Sequence, residues 1–323
     1  MVEETEEYKE LQSIADELLP IIKKGDCIAW IGSGPSIGLY PDWTDLIIKL
    51  CEVCEIPESS PTKETKSDEL ILIADKCKTA KEERYQAKLA QEFGGPVSST
   101  PSTYHLVLNM PFKGYITTNF DPALSFSANS KWPNMVNINP YPFLNNEILG
   151  KTEKTPVFYL HGLARHGDTP RGDNLVLSKS EFDEAYNGGN AYVFLHQLLQ
   201  FNKIIFMGCG LTENEIAQVF SRVRDLYLKI QPNFERIEEP TRIILLPCLY
   251  SKKDRKRDED EENEKNKFYE NMGIRVIRYP NEEEDFLNLD RILEKVCRGI
   301  GKPAYAGLHY GIEEVLEDDS FVL

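Results

Sequence analysis

The chain has no apolar run approaching the ~20 residues that a helix needs to cross a bilayer. Its first ten residues are acidic and lack the apolar core of a secretory signal. A cytoplasmic protein with no membrane partner is therefore expected. Positive charge is scarce: 37 Lys plus Arg face 53 Asp plus Glu, a net charge of −16. Such a surface repels nucleic acid, so no direct nucleic-acid binding is expected, and a nucleotide site would have to be locally neutral or positive. The seven cysteines are odd in number and irregular in spacing, which excludes a disulfide framework. Cys27, Cys209, Cys248 and Cys297 stand in apolar contexts and read as small buried residues. Cys51 and Cys54 form a C-x-x-C with no second pair, short of the four soft ligands of a structural zinc site. They read either as a metal pair or as two residues of one helix.

Against these absences stands one conspicuous stretch. Residues 27–31 are continuously apolar and stop in Gly32-Ser33-Gly34-Pro35-Ser36-Ile37-Gly38, after which a helix pattern begins near Asp42. A buried strand, a glycine turn and a helix start make an anion-binding arrangement, because glycine admits close approach and a helix start offers N–H groups. The rest of the chain alternates in the same way. Helical spacing runs over 6–24, 42–54, 68–78, 83–93, 102–109, 191–201, 212–229 and 285–298. Strands are expected at 114–118, 135–138, 156–160, 175–177, 204–207, 243–246 and 273–279. Ser178 with Glu181 and Thr212 with Glu215 have capping-box spacing. The Asn- and Pro-rich stretch 125–146 is expected to wander over the site, and the charged run 252–267 to form a solvated loop merging into a helix. The expected fold is α/β, a Rossmann-like doubly wound parallel sheet with a helical insertion. One catalytic domain would span 1–300, with the insertion at about 56–110 and an acidic tail over 301–323.

In such sheets ligands sit at the carboxyl ends of the strands. Four candidate motifs fall there: the Gly32 loop, Asn119-Phe120-Asp121, His161-Gly162 and Gly208-Cys209-Gly210. The glycine loop reads G-x-G-x-x-x-G, one residue off the dehydrogenase fingerprint, and no acidic residue ends a second strand about 20 residues on. Hydride transfer is disfavoured. Asn119 can orient a water or a ribose hydroxyl, or serve as a turn residue. Asp121 can hold a ribose or amide group, or cap the helix after Pro122. His161, at a strand end before a glycine, can act as a base near neutral pH. His105 and His196 fall on helix faces and read as packing residues, while His166 and His309 lie in loops and receive no role.

Gly32-Ser33-Gly34-Pro35-Ser36, Pro41-Asp42-Trp43, Thr118-Asn119-Phe120-Asp121, Leu160-His161-Gly162 and Gly208-Cys209-Gly210-Leu211 follow one another in the order and spacing of sirtuin-like domains. The closer resemblance is to the bacterial branch of sirtuin-like antiphage effectors, and it covers about residues 15–280. It implies a Rossmann-like domain that takes NAD as a substrate and breaks its nicotinamide–ribose bond. By position it implies Asn119 and His161 as the catalytic pair. Gly32, Ser33, Gly34 and Ser36 would meet the diphosphate side, Asp121 the nicotinamide ribose, and Gly208 and Leu211 the adenosine side. Trp43 and Thr118 would also line the site. The protein-deacylating sirtuins carry a four-cysteine zinc module, but residues 162–207 contain no cysteine. No metal is therefore expected.

The resulting expectation is an NAD+ hydrolase (NADase) releasing nicotinamide and ADP-ribose, as an abortive-infection effector. A zinc-free NAD-dependent protein deacylase and a non-catalytic NAD or ADP-ribose sensor subunit are the alternatives. A toxic hydrolase must be gated. Little chain follows residue 300, so gating is expected from homo-oligomerisation or from a partner such as a HerA-type ATPase or another phage sensor.

Overall fold

The protein is described by a computed structural model over residues 5–146, 149, 153–164, 174–230, 242–250, 256–281 and 287–302. The order is α1 (Glu6–Lys23), β1 (Cys27–Ile31), α2 (Trp43–Val53), α3 (Ser67–Ala80), α4 (Glu82–Phe93), α5 (Ser102–Asn109), β2 (Tyr115–Thr117), α6 (Ala123–Lys131), β3 (Val136–Pro140) and β4 (Thr155–Tyr159). Then come α7 (Lys179–Tyr186), α8 (Asn190–Phe201), β5 (Lys203–Met207), α9 (Asn214–Ile230), β6 (Arg242–Pro247), α10 (Glu259–Asn271), β7 (Arg275–Tyr279) and α11 (Leu287–Ile300).

The seven strands form one sheet in the order β3-β4-β2-β1-β5-β6-β7. Every pairing is parallel. The α/β, Rossmann-like expectation holds. β1 is the central strand, and all five of its residues are buried. Alternation sends Cys27, Ala29 and Ile31 to one face and Ile28 and Trp30 to the other. That is why the run reads as continuously apolar: both faces of a parallel sheet are covered. The first face packs α1, α5, α6 and α11, and the second packs α7, α8 and α9. A third core holds α2, α3 and α4 together, with Leu175 and Leu177 packed into it. From β1 the chain passes to β2 on one side and later returns to β5 on the other. The topological switch point therefore flanks β1, and the loops after β2 and β5 face each other across its end.

Several local expectations fail. Residues 175–177 are buried but irregular; Val176 N–H bonds the His161 carbonyl at 2.9 Å, and β3 already occupies the sheet edge beyond β4. Part of the stretch expected to wander is the helix α6. It is hard to see in sequence because its buried side includes Ser125 and Ser127, whose hydroxyls bond the carbonyls of Pro122 and Ala123. The Ser178–Glu181 capping box is present. The one at Thr212 is not: α9 starts at Asn214, and the Thr212 hydroxyl sits 2.8 Å from that of Ser67 on α3. The charged run is not wholly solvated, since Glu262 is buried and takes hydrogen bonds from Arg257 and from Leu249 N–H. Its residues 252–255, His166, His309 and the tail from 303 onward lie outside the described residues.

Candidate active site

A cleft opens at the carboxyl ends of β1, β2 and β4. Ser33, Ser36, Trp43, Thr118, Asn119, Asp121 and His161 all line it. Loops that lie as far apart in sequence as Ser33 and His161 are thus brought to one wall, as the strand order requires.

Two of the glycines have a packing task. A Cβ on Gly32 would lie 2.3 Å from that of Cys209, and one on Gly208 would lie 2.4 Å from Pro35 Cδ. Gly34 N–H donates to the Gly208 carbonyl at 2.9 Å. The β1 and β5 loops interlock at these positions, so the close approach is by the protein's own backbone. Gly208 also needs glycine for its φ of +61°. Gly32, Gly34, Gly208 and Leu211 stand behind the cleft and do not line it. Nor does the glycine loop run straight into a helix. It forms a short 3-10 turn over Gly34–Ser36, and the N-terminus of α2 is capped by the Asp42 carboxylate, which accepts from Asp45 N–H.

Asn119 is 7% exposed and held from three sides. Its Nδ2 lies 3.2 Å from the Gly32 carbonyl, 3.3 Å from Ser36 Oγ and 3.1 Å from Tyr104 Oη. A carbonyl can only accept, so Gly32 fixes which end of the amide is nitrogen. Its Oδ1 is buried and has no partner among the described residues. The indole N–H of Trp43 is in the same condition. Both residues line the cleft, and for this acceptor and this donor the described residues supply no hydrogen bond.

Asp121 is 3% exposed. One oxygen accepts from Ala123 N–H at 3.0 Å, which caps α6, and the other from Ser36 Oγ at 3.4 Å. Burial pushes its carboxyl up to about 6, and these hydrogen bonds moderate the rise. His161, 4% exposed, has its ring edge-on to Phe182 at 5.0 Å and its Nε2 3.0 Å from Tyr186 Oη. Burial drives its pKa down to about 3, so the imidazole is neutral at physiological pH.

The sequence reading missed much of the wall. Tyr40, Leu46, Phe93, Phe120, Leu177 and Phe182 supply apolar surface, and Glu213 adds a second carboxyl that burial raises. Glu213 was findable, because it lies in the loop that follows β5. Tyr104 and Tyr186, which hold Asn119 and His161, come from helices, and no local pattern signals them. Among the described lining residues there are two carboxyls and no Lys or Arg. The Cys51–Cys54 pair lies elsewhere, at the C-terminal end of α2 with Cys77 of α3 alongside, its Sγ 3.8 Å from that of Cys51. No group of three or more His, Cys, Asp or Glu among the described residues is arranged to hold a metal ion.

No curated protein matches the chain. A family model described as SIR2-like domain matches residues 113–277, just over half of the chain. The match takes in β2 through most of β7, with Asn119, Asp121, His161, Gly208, Leu211 and Glu213, and it leaves out β1 with its glycine loop. Fold, strand-end motifs and family match agree: the chain belongs to the SIR2-like domain family, whose members are NAD-dependent enzymes.

Proposed function

We propose that the protein is an NAD+ glycohydrolase, breaking the nicotinamide–ribose bond to give nicotinamide and ADP-ribose. The observation that carries this reading is the Asn119 amide. Its two N–H groups are shared among Gly32, Ser36 and Tyr104, and its buried oxygen is left without a partner on a residue that lines the same cleft as His161. A carbonyl oxygen so placed accepts a hydrogen bond from water and turns the water's lone pair toward an electrophile.

The chemistry suits these groups. The C–N bond breaks with its electron pair going to the pyridinium ring, so nicotinamide leaves neutral and needs no strong acid. C1′ of the ribose becomes oxocarbenium-like, as in glycoside cleavage. Water held by Asn119 adds to C1′. Its proton passes to His161 directly, or to a ribose hydroxyl whose proton His161 takes. Carboxyls at Asp121 and Glu213 on the cleft wall favour the positive end of the dinucleotide and the charge that develops on the sugar.

The first test is nicotinamide release from NAD by the purified protein. Asn119→Ala and His161→Ala are each expected to lower kcat by about 100-fold or more, with thermal unfolding confirming that both variants fold. Undiminished release in both would overturn the assignment. As an abortive-infection effector against phage the enzyme would be gated by homo-oligomerisation or by a partner such as a HerA-type ATPase. Full activity in a monodisperse monomer without a partner would contradict the gating.

A further inference from the structure

The Asn119 amide has two N–H groups and three acceptors around them. From Nδ2 the Gly32 carbonyl is 3.2 Å away, Tyr104 Oη 3.1 Å and Ser36 Oγ 3.3 Å. An amide nitrogen offers no lone pair, so the Tyr104 oxygen accepts here. Burial keeps the phenol protonated, and its own hydrogen has the Ser36 hydroxyl as partner. Ser36 in turn donates to the Ser33 carbonyl at 3.1 Å, with an Asp121 oxygen at 3.4 Å as its other acceptor. Each proton of the network thus has a place.

We propose that Tyr104 is the positioning residue of Asn119: its oxygen takes one N–H of the amide while the Gly32 carbonyl takes the other, holding the rotation that leaves Oδ1 without a donor among the described residues. This rests on the NAD hydrolysis reading above, in which that oxygen serves the attacking water. The terminal torsion of an asparagine is broad, so fixed acceptors on its nitrogen are what set where its oxygen points.

The local structure holds the phenol still. Tyr104 is fully buried and is not among the described residues that line the cleft, so it acts through its neighbours. It is the third residue of α5, where Pro101 at the N-cap makes no side-chain bond. The hydroxyls of Ser102 and Thr103 donate instead to the carboxylate of Asp290, a buried residue of α11. One turn farther along, the Leu106 carbonyl lies 3.5 Å from Cys297 Sγ, also on α11. Contacts to one neighbouring helix thus flank Tyr104 on both sides. The phenol reaches the end of β2 from a helix pair that packs on the sheet, while Asn119 itself sits on a turn.

Tyr104→Phe removes one oxygen and keeps the ring. Nicotinamide release is expected to lose about tenfold in kcat with KM within about twofold. In an Asn119→Ala background the same change is expected to cost nothing further, since the residue acts through the amide. Wild-type kcat in Tyr104→Phe, or an equal loss in both backgrounds, would overturn the proposal. A second readout needs no turnover. In protein labelled with nitrogen-15 asparagine, the Asn119 side chain, assigned by its loss in Asn119→Ala, is expected to show two separate amide protons that exchange slowly with water. Tyr104→Phe is expected to shift one of them. Protons that exchange as fast in the wild type as those of an exposed asparagine, or that Tyr104→Phe leaves unmoved, would overturn the proposal whatever the activity. A wild-type protein that releases no nicotinamide would sink the hydrolase reading instead, and the amide spectrum would still decide the role of Tyr104.

Discussion

Asp121 and His161 respond to pH with opposite signs. The Asp121 carboxyl is raised from 3.8 to about 6, so the folded state binds more protons than the unfolded chain between those values. Stability from this group is present at low pH and is lost as pH rises through that window. The His161 ring is lowered from 6.5 to about 3, so its contribution is gained as pH rises through that range. Asp121→Asn keeps an oxygen for Ala123 N–H and removes the buried charge. It is expected to stabilise the protein by about 1–3 kcal/mol at pH 7.5 and by much less near pH 4, read from urea unfolding. A larger gain at pH 4 would contradict the assignment. If the ionised carboxylate assists cleavage, kcat/KM for NAD should fall below about pH 6, and Asp121→Asn should abolish that limb. His161, already neutral there, would contribute nothing to it. These two residues were legible in sequence because strand-end turns are local. The identity of what grips them was not, because Tyr104 and Tyr186 reach them only once the helices have docked on the sheet.

At the scale of the elements, the interlocked β1 and β5 loops set the back of the cleft. Gly208→Ala would force a side chain into the left-handed backbone region and against Pro35. The expected cost is about 3 kcal/mol, seen in chemical denaturation, together with weakened NAD turnover. Gly38, also at positive φ but with no atom near an added Cβ, is the control that shows the strain without the clash. Ser178→Ala breaks one half of the capping box and is expected to cost about 1 kcal/mol. Strands were read best where parallel packing made them continuously apolar, as in β1 and in β5 after Lys203. The reading failed where burial and periodicity part company. Residues 175–177 are buried without pairing along a ladder, and α6 buries serines that satisfy themselves on its own carbonyls.

For the molecule as a whole, a net charge of −16 sets a field that opposes an anionic dinucleotide. Raising NaCl from about 20 to 200 mM should lower KM for NAD, by about twofold, because the screening length shortens from roughly 20 Å to under 10 Å. A KM that rises with salt would point to cations at the diphosphate side. The cores divide the molecule in another way. Cys51, Cys54 and Cys77 are buried together in the α2–α4 core; burial raises all three thiols, as it does that of Cys209 on the β5 loop, which keeps some exposed surface. Trp43 and Leu46, on the same helix as Cys51, form part of the cleft wall. An alkylating reagent can reach that trio only when the helices separate, so its rate of uptake, mapped by mass spectrometry, is a clock for the opening of the wall. The chain thus carries its own reporter for whether substrate or assembly clamps the cleft shut.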